Sequence, residues 1–489
     1  MADRPDDTPV PPDPATRVLV FGASGYIGRH LVPYLRDRGV HVLAAARNLQ
    51  GLEAEGWHDV ELVRADATRP ETLAAALDGV SVAYYLVHSM TAGAHFPEVD
   101  RQAARTFAEA AAQAGVRRIV YLGGLSPERP DTAHLASRVE TGEILRAGPV
   151  PVTEIRAAIV IGPGSAAFEV MRDLVAHLPV MVTPRWVRAS SPPVALDELL
   201  VDLFALPWID AAAGRTFDAG GPDRLTYEEM MRRLSRALGR RAPLIVPVPV
   251  LTPKLSSYWL AFVTATPPRI AQALIGGLKY DLGADTGPLR QLVPQNPIGF
   301  DEAVRRVFSA EQRILARERW REGAFNLRGR RHDVSFYSKR LTRTADSTGD
   351  PAALWRVLTE IGTRARGYFY LNPVWRLRRW LDARLGGRPA GLRAQAGDPV
   401  PGERFDIWEV LAAKPGQRLT LYATLVAPGS GGLEFALEPG NDGGTRLSAT
   451  IHWHPAGFAG LLYWYALGPV HAAMLSGMVR AIAKRADAR

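Results

Sequence analysis

The stretch that decides the fold is Val18-Leu19-Val20-Phe21-Gly22-Ala23-Ser24-Gly25-Tyr26-Ile27-Gly28. Its first four residues read as a buried strand. Ile27, Leu31 and Leu35 then recur at helical spacing and stop before Gly39, a natural helix C-cap. The glycines at 22, 25 and 28 therefore fall between a strand and a helix. Gly22 permits the tight turn, Gly25 lets the backbone approach a pyrophosphate, and Gly28 lets the helix pack on the strand. With Ser24, Tyr26 and Ile27 they form a loop whose helix N-terminus offers N–H groups to an anion. The pattern predicts dinucleotide binding; its bland alternative is a glycine-rich turn without a ligand.

Outward from that loop, short β-branched runs alternate with helical patterns. Strands are predicted over 17–21, 40–46, 60–64, 80–87, 118–122 and 153–161. Between them, Leu73 and Leu77 mark one helix, and Val99, Ala103, Phe107, Ala111 and Ala114 mark a longer one that ends at Gly115. Such alternation predicts an α/β fold: a doubly wound parallel Rossmann sheet with helices on both faces. From 163 to 308 the chain is less regular and reads as a small substrate lobe. There, Pro192-Pro193 followed by Asp197-Glu198-Leu199-Leu200 read as a loop feeding a capped helix, and Thr226 with Glu229 form a capping box for a helix over 227–238.

Near 310–330 the pattern changes. A helix over 351–361 precedes strands over 405–410, 418–426, 433–438 and 445–453, the last two joined by a hairpin at Pro439-Gly440-Asn441-Asp442-Gly443-Gly444. In the second of these strands Leu419, Leu421 and Ala423 face one way, and Thr420 and Tyr422 the other. A long helix over 458–486 follows. The division expected is a disordered Asp- and Pro-rich tail over 1–15, a Rossmann domain over 16–310, a linker over 311–330 and an α+β domain over 331–489.

The position after the second strand selects the cofactor. Ala44-Ala45-Ala46-Arg47-Asn48 has no acid to hold ribose hydroxyls, and Arg47 comes nineteen residues after Gly28. A guanidinium pairs bidentately with phosphate, so NADP(H) is favoured while NAD(H) stays open. Asp66, followed by Ala67, suits either the adenine amine or a cap on the next turn.

These residues, with Tyr84-Tyr85-Leu86-Val87-His88 and Val120-Tyr121-Leu122-Gly123-Gly124, resemble the atypical short-chain dehydrogenase/reductases. The similarity is to the NmrA-like and complex-I accessory-subunit-like groups and covers about residues 16–310. The appended tail resembles a domain of no assigned function with a helix-grip (polyketide cyclase, lipid-transfer) fold. The resemblance implies that Leu86, Val87 and His88 lie along the cofactor, with Leu122 and Gly123 near its nicotinamide end. Ordinary members carry a Tyr and, four residues later, a Lys. Here His134 and Arg138 hold that spacing on one helical face. Arg138 suits the ribose but exchanges no protons at neutral pH. His134 is the candidate proton donor, with a pKa near neutrality. A surface His beside a structural Arg is the competing reading.

Composition narrows the classes. Fifty-nine Lys and Arg against 50 Asp and Glu give a net charge of +9, with the arginines scattered, so nucleic acid is not expected. With no cysteine, the chain has no disulfide, iron–sulfur cluster or Cys-ligated zinc, and a cytoplasmic setting is compatible. His452, His454 and His471 are conceivable ligands, but no carboxylate accompanies the pair, and no metal is assigned. Residues 456–475 lack Asp, Glu, Lys and Arg over about a spanning length. Pro469 and His471 interrupt them, so they read as a buried or membrane-resting helix.

Three functions follow. The first is an NADP(H)-dependent oxidoreductase acting on a quinone-, polyketide- or lipid-like molecule. The second is a non-catalytic dinucleotide-binding sensor or accessory subunit of a membrane-associated electron-transfer complex. The third is a lipid carrier with a regulatory Rossmann domain.

Overall fold

The computed structural model describes residues 16–53, 55–88, 95–248, 260, 262, 264–267, 277, 279–314, 334–440 and 444–488. The predicted tail and most of the predicted linker lie outside them. The chain divides into two compact units. One comprises Met1–Val175, Pro179–Leu260 and Pro267–Glu311; the other comprises Ala176–Leu178, Ala261–Thr266 and Gln312–Arg489.

The first unit holds a seven-stranded sheet. Its strands are β1 Arg17–Phe21, β2 His41–Ala46, β3 Glu61–Arg64, β4 Val80–Tyr85, β5 Arg118–Gly124, β6 Val152–Ala157 and β7 Thr216–Ala219. The order across the sheet is β7-β6-β5-β4-β1-β2-β3, and every pairing is parallel. Helices α1 Tyr26–Arg36, α2 Pro70–Leu77, α3 Phe96–Gln113 and α4 Ala133–Ala147 connect the strands. α5 Leu196–Ala205, α6 Tyr227–Ala237 and α7 Phe300–Ile314 follow.

Alternation along β1 feeds two cores. Val18 and Val20 pack with Leu31, Leu35, Leu199 and Leu203 on one face. Leu19 and Phe21 pack with Leu73, Leu77 and Phe107 on the other. Strand order reverses between β1 and β4, so the doubly wound sheet opens its crevice at their carboxyl ends.

Several expectations change. The single strand over 153–161 is β6 plus a short strand Val160–Ile161, which leaves the main sheet to pair with Val194–Ala195. Near the start of α3 the buried residue is Asp100, 3% exposed, while Val99 is half-buried. α6 does carry the Thr226–Glu229 capping box. α5 starts without a side-chain cap.

The second unit holds a six-stranded antiparallel sheet of β8 Lys339–Ser347, β9 Arg404–Phe405, β10 Trp408–Lys414, β11 Arg418–Ala423, β12 Gly429–Pro439 and β13 Thr445–Pro455. The order is β8-β13-β12-β11-β10-β9. α8 Pro351–Leu358 and α9 Asn372–Arg384 precede most of the sheet, and α10 Gly457–Asp487 closes the chain. Leu354, Trp355, Leu421, Phe435, Leu447 and Ile482 form the shared core of sheet and helices.

β8 and α9 were not anticipated. Both faces of β11 are buried, with Thr420 and Tyr422 on the second and Tyr422 packed against Val334. His454 is likewise buried, its Nδ1 2.9 Å from the Ser335 carbonyl oxygen, and no metal-binding cluster occurs among the described residues. Among the described helices, α10 alone is long and apolar enough to cross a membrane, and 33% of its most apolar window is buried.

Candidate functional site

The site grows from the turn between β1 and α1. Gly22 has φ +96°, and a Cβ there would lie 3.0 Å from the Leu86 carbonyl carbon and 3.2 Å from Val87 Cγ2. Leu86 N–H donates to the Phe21 carbonyl, so Leu86 and Val87 lie directly beside the loop. A Cβ at Gly28 would sit 2.5 Å from the Gly22 carbonyl oxygen and 2.6 Å from Ala23 Cα, which explains why only glycine packs there. Ser24 and Gly25 are exposed.

The Tyr26 hydroxyl reaches toward Gly162, and Ile27 packs on the core, so both present only backbone to the loop. α1 begins without a side-chain cap and without an acid in its first turn. Its opening amides are thus presented to an anion rather than to a carboxylate of the chain. These residues fit a dinucleotide diphosphate.

Arg47 stands exposed at the carboxyl end of β2. Asp66 follows β3, and its Oδ1 accepts from the Thr68 N–H at 2.9 Å and the Thr68 hydroxyl at 2.8 Å. Partial burial pulls its carboxyl up, but the Thr68 bonds and the nearby Arg47 and Arg69 carry it net below the usual carboxylate range. The capping role therefore engages one Asp66 oxygen. Ala67 is buried beside it.

At the ends of β4 and β5 the structure assembles a chain of polar groups. The Ser137 hydroxyl donates to Asp100 Oδ2 at 2.8 Å, and His88 Nδ1 lies 2.6 Å from the same oxygen. His88 Nε2 lies 2.8 Å from His134 Nδ1, one nitrogen donating and the other accepting according to the tautomers. His88 and Asp100 are nearly buried, at 11% and 4% side-chain exposure. Burial, then Arg138 and His88, push the His134 pKa down to about 3. The near-neutral titration expected of His134 is thus corrected: this ring stays uncharged, and the carboxylate stands against His88.

Arg138, one turn on, donates from Nη2 to the Leu122 carbonyl at 2.9 Å. A Cβ at Gly124 would lie 3.5 Å from Arg138 Nε, and one at Gly123 would lie 2.9 Å from Glu154 Oε1. At Gly123 the Glu154 carboxylate takes the space a side chain would need, whereas the Gly124 contact with Arg138 is an ordinary one. The sheet tyrosines are committed as well: Tyr121 donates to the Arg138 carbonyl and Tyr84 to the Leu203 carbonyl, both at 2.8 Å.

Sequence reasoning named His88, His134 and Arg138 but missed Asp100. The signal was available, since Asp100 shares an inward helical face with Ala103, Ala104 and Phe107, where an acid needs a partner.

Residues 22–148, spanning this whole assembly, match the family described as NAD(P)H-binding. The chain is 32% identical over 233 residues to the (4-alkanoyl-5-oxo-2,5-dihydrofuran-3-yl)methyl phosphate reductase of Streptomyces griseus, covering 46% of this chain and 74% of that protein. It is 30% identical over 234 residues to the ceramide reductase of Caulobacter vibrioides, covering 47% and 72%.

The chain belongs to the NAD(P)-binding Rossmann family.

The family's fold is also that of the Citrobacter sp. triphenylmethane reductase, at TM-score 0.50 and 18% identity, covering 60% of this chain and 99% of that one. Residues 331–478, outside the Rossmann-family region, match a family described as a protein of unknown function (DUF2867).

Proposed function

We propose that this chain is an NADP(H)-dependent oxidoreductase that interconverts a carbonyl and an alcohol on a molecule with a long apolar chain. The observation that carries the reading is the Ser137–Asp100–His88–His134 chain beside the dinucleotide loop. Gly22, Ser24, Gly25, Tyr26, Ile27 and Gly28 would cradle the diphosphate, Arg47 the 2′-phosphate, Asp66 and Ala67 the adenine end, and Arg138 the nicotinamide ribose. The bound dinucleotide supplies or accepts the hydride.

The chain's own part is the proton. When the relay carries its extra proton, His88 holds Nδ1–H against Asp100 and Nε2–H against His134 Nδ1, and His134 keeps Nε2–H. Giving that Nε2 hydrogen to a substrate oxygen draws the His88 hydrogen onto His134 Nδ1. Both rings end neutral, and solvent restores one proton. Reversing the sequence serves alcohol oxidation. His134 is thus the catalytic donor, and Asp100 a positioning residue that fixes the His88 tautomer. The relay replaces the tyrosine–lysine pair with the same outcome, a proton delivered where hydride arrives.

The relatives' substrates, an alkanoyl-bearing furanyl phosphate and a ceramide, support an acyl-bearing carbonyl compound as substrate class. The second unit, a sheet with a long helix, we read as helix-grip-like, and the cysteine-free composition fits a cytoplasmic setting. Purified protein with NADPH and a panel of long-chain keto compounds tests the proposal. Consumption of NADPH that disappears in His134→Gln, with NADPH still bound, supports it. Binding of NADPH without turnover across the panel overturns the catalytic reading.

A further inference from the structure

We infer that α9 is an interfacial helix that seats the second unit on an anionic lipid bilayer. The inference is independent of the oxidoreductase reading.

α9 is fixed from its inner side. Trp375 stacks on Tyr368 with ring centroids 4.1 Å apart, and Asp382, 1% exposed, accepts the Val426 N–H at 2.6 Å. Arg378 Nη2 donates to the Val426 carbonyl at 2.9 Å, and Arg379 Nη2 to the Ala390 carbonyl at 2.9 Å. The chain enters through two non-glycine residues in the left-handed region, Phe369 at φ 63° and Leu371 at φ 49°, a costly backbone that sets how the helix is presented.

Its outer side is apolar. Leu377, Trp380, Leu381 and Leu385 are 55%, 52%, 40% and 62% exposed, and their spacing of three and four residues puts them on one stripe. Exposed Arg376 and Arg384 lie on the same helix as that stripe and exposed Arg388 follows its end, and the Arg384 guanidinium lies 4.9 Å from the Trp380 ring centroid. The helix's one acid is the buried Asp382, so the stripe is flanked by positive charge alone.

This charge pattern selects the occupant. A second copy packing its stripe on this one would bring arginine against arginine across a two-fold contact. An anionic bilayer takes both features at once: leucines enter the acyl boundary, the indole with its stacked guanidinium sits at headgroup depth, and the arginines meet phosphates.

The test is vesicle flotation of the full chain with phosphatidylcholine alone and with phosphatidylcholine–phosphatidylglycerol. The expected result is flotation with anionic vesicles only, weakening as salt rises. Trp380→Ser with Leu381→Ser should lower binding at least about tenfold. Arg384→Glu with Arg388→Glu should lower it by about fivefold or more per arginine. Both variants should keep the wild-type circular dichroism. Phe458→Ser with Leu462→Ser, on α10, should bind as wild type.

Failure to float with anionic vesicles overturns the inference. So does flotation lost only in the α10 variant. A doubled mass in light scattering, abolished by the α9 substitutions and unaccompanied by flotation, would assign the stripe to self-association instead.

Discussion

At the scale of single residues, the site divides by what a local pattern can announce. The positions of the glycines and of Arg47 were legible because each is set by spacing to a strand end, which sequence preserves. The pairing of His88 with His134, 46 positions further along the chain, and of His88 with Asp100, was not, because tertiary packing alone brings a loop and two helix starts together. Two predictions belong here. Arg47→Ala should weaken NADP(H) by about 1.5–3 kcal/mol, the scale of a hydrogen bond to a charged group, and leave NAD(H) nearly unchanged; calorimetric titration reads both. His134, held at about 3 in the fold, is charged in the unfolded chain below its ordinary value near 6.5. The unfolded state therefore binds a proton that the folded state refuses. This stabilisation is complete above about pH 6.5 and drains away as pH falls toward 3, at up to about 1.4 kcal/mol per unit. Denaturant titrations across that window should show a flatter acid limb in His134→Gln; parallel limbs would refute the assignment.

Among elements, those with one dominant period were readable and those with two were not. β1, β4 and α1 carry clean apolar patterns and match their expected positions within a residue or two. α9 was missed because its apolar residues lie on opposite faces, Trp375 inward and Leu377 with Leu381 outward, which blurs any single stripe. β8 was missed for a different reason: its alternation is between half-buried and exposed residues, as befits an edge strand carrying Lys339, Arg340 and Arg343. The start of α1 gives the sharpest mutational test. In Gly28→Ala the new methyl would meet the Gly22 carbonyl oxygen at 2.5 Å, a backbone atom that cannot swing aside. Thermal melts should show a loss of about 1–3 kcal/mol, and nucleotide binding should vanish with the displaced loop. By contrast, Thr226→Ala at the α6 capping box should cost only about 1 kcal/mol and spare binding.

For the whole molecule, the decisive fact is how the apolar clusters of the described residues divide. Val18, Leu31, Phe107 and Leu203 belong to cores made entirely of the first unit, and Trp355, Phe435 and Ile482 to one made entirely of the second. A ligand stabilises only the cooperative unit whose folded form binds it. NADPH at about one hundred times its dissociation constant should therefore raise the first unit's stability by about 2.7 kcal/mol, a shift of several degrees for a unit of this size. Differential scanning calorimetry should resolve two transitions, one moving upward with NADPH and one staying still. The Gly28→Ala variant should abolish the shift without altering the stationary transition. A single transition that moves as one with added nucleotide would mean that the two sets of core contacts melt together, and would refute the separation drawn from their composition.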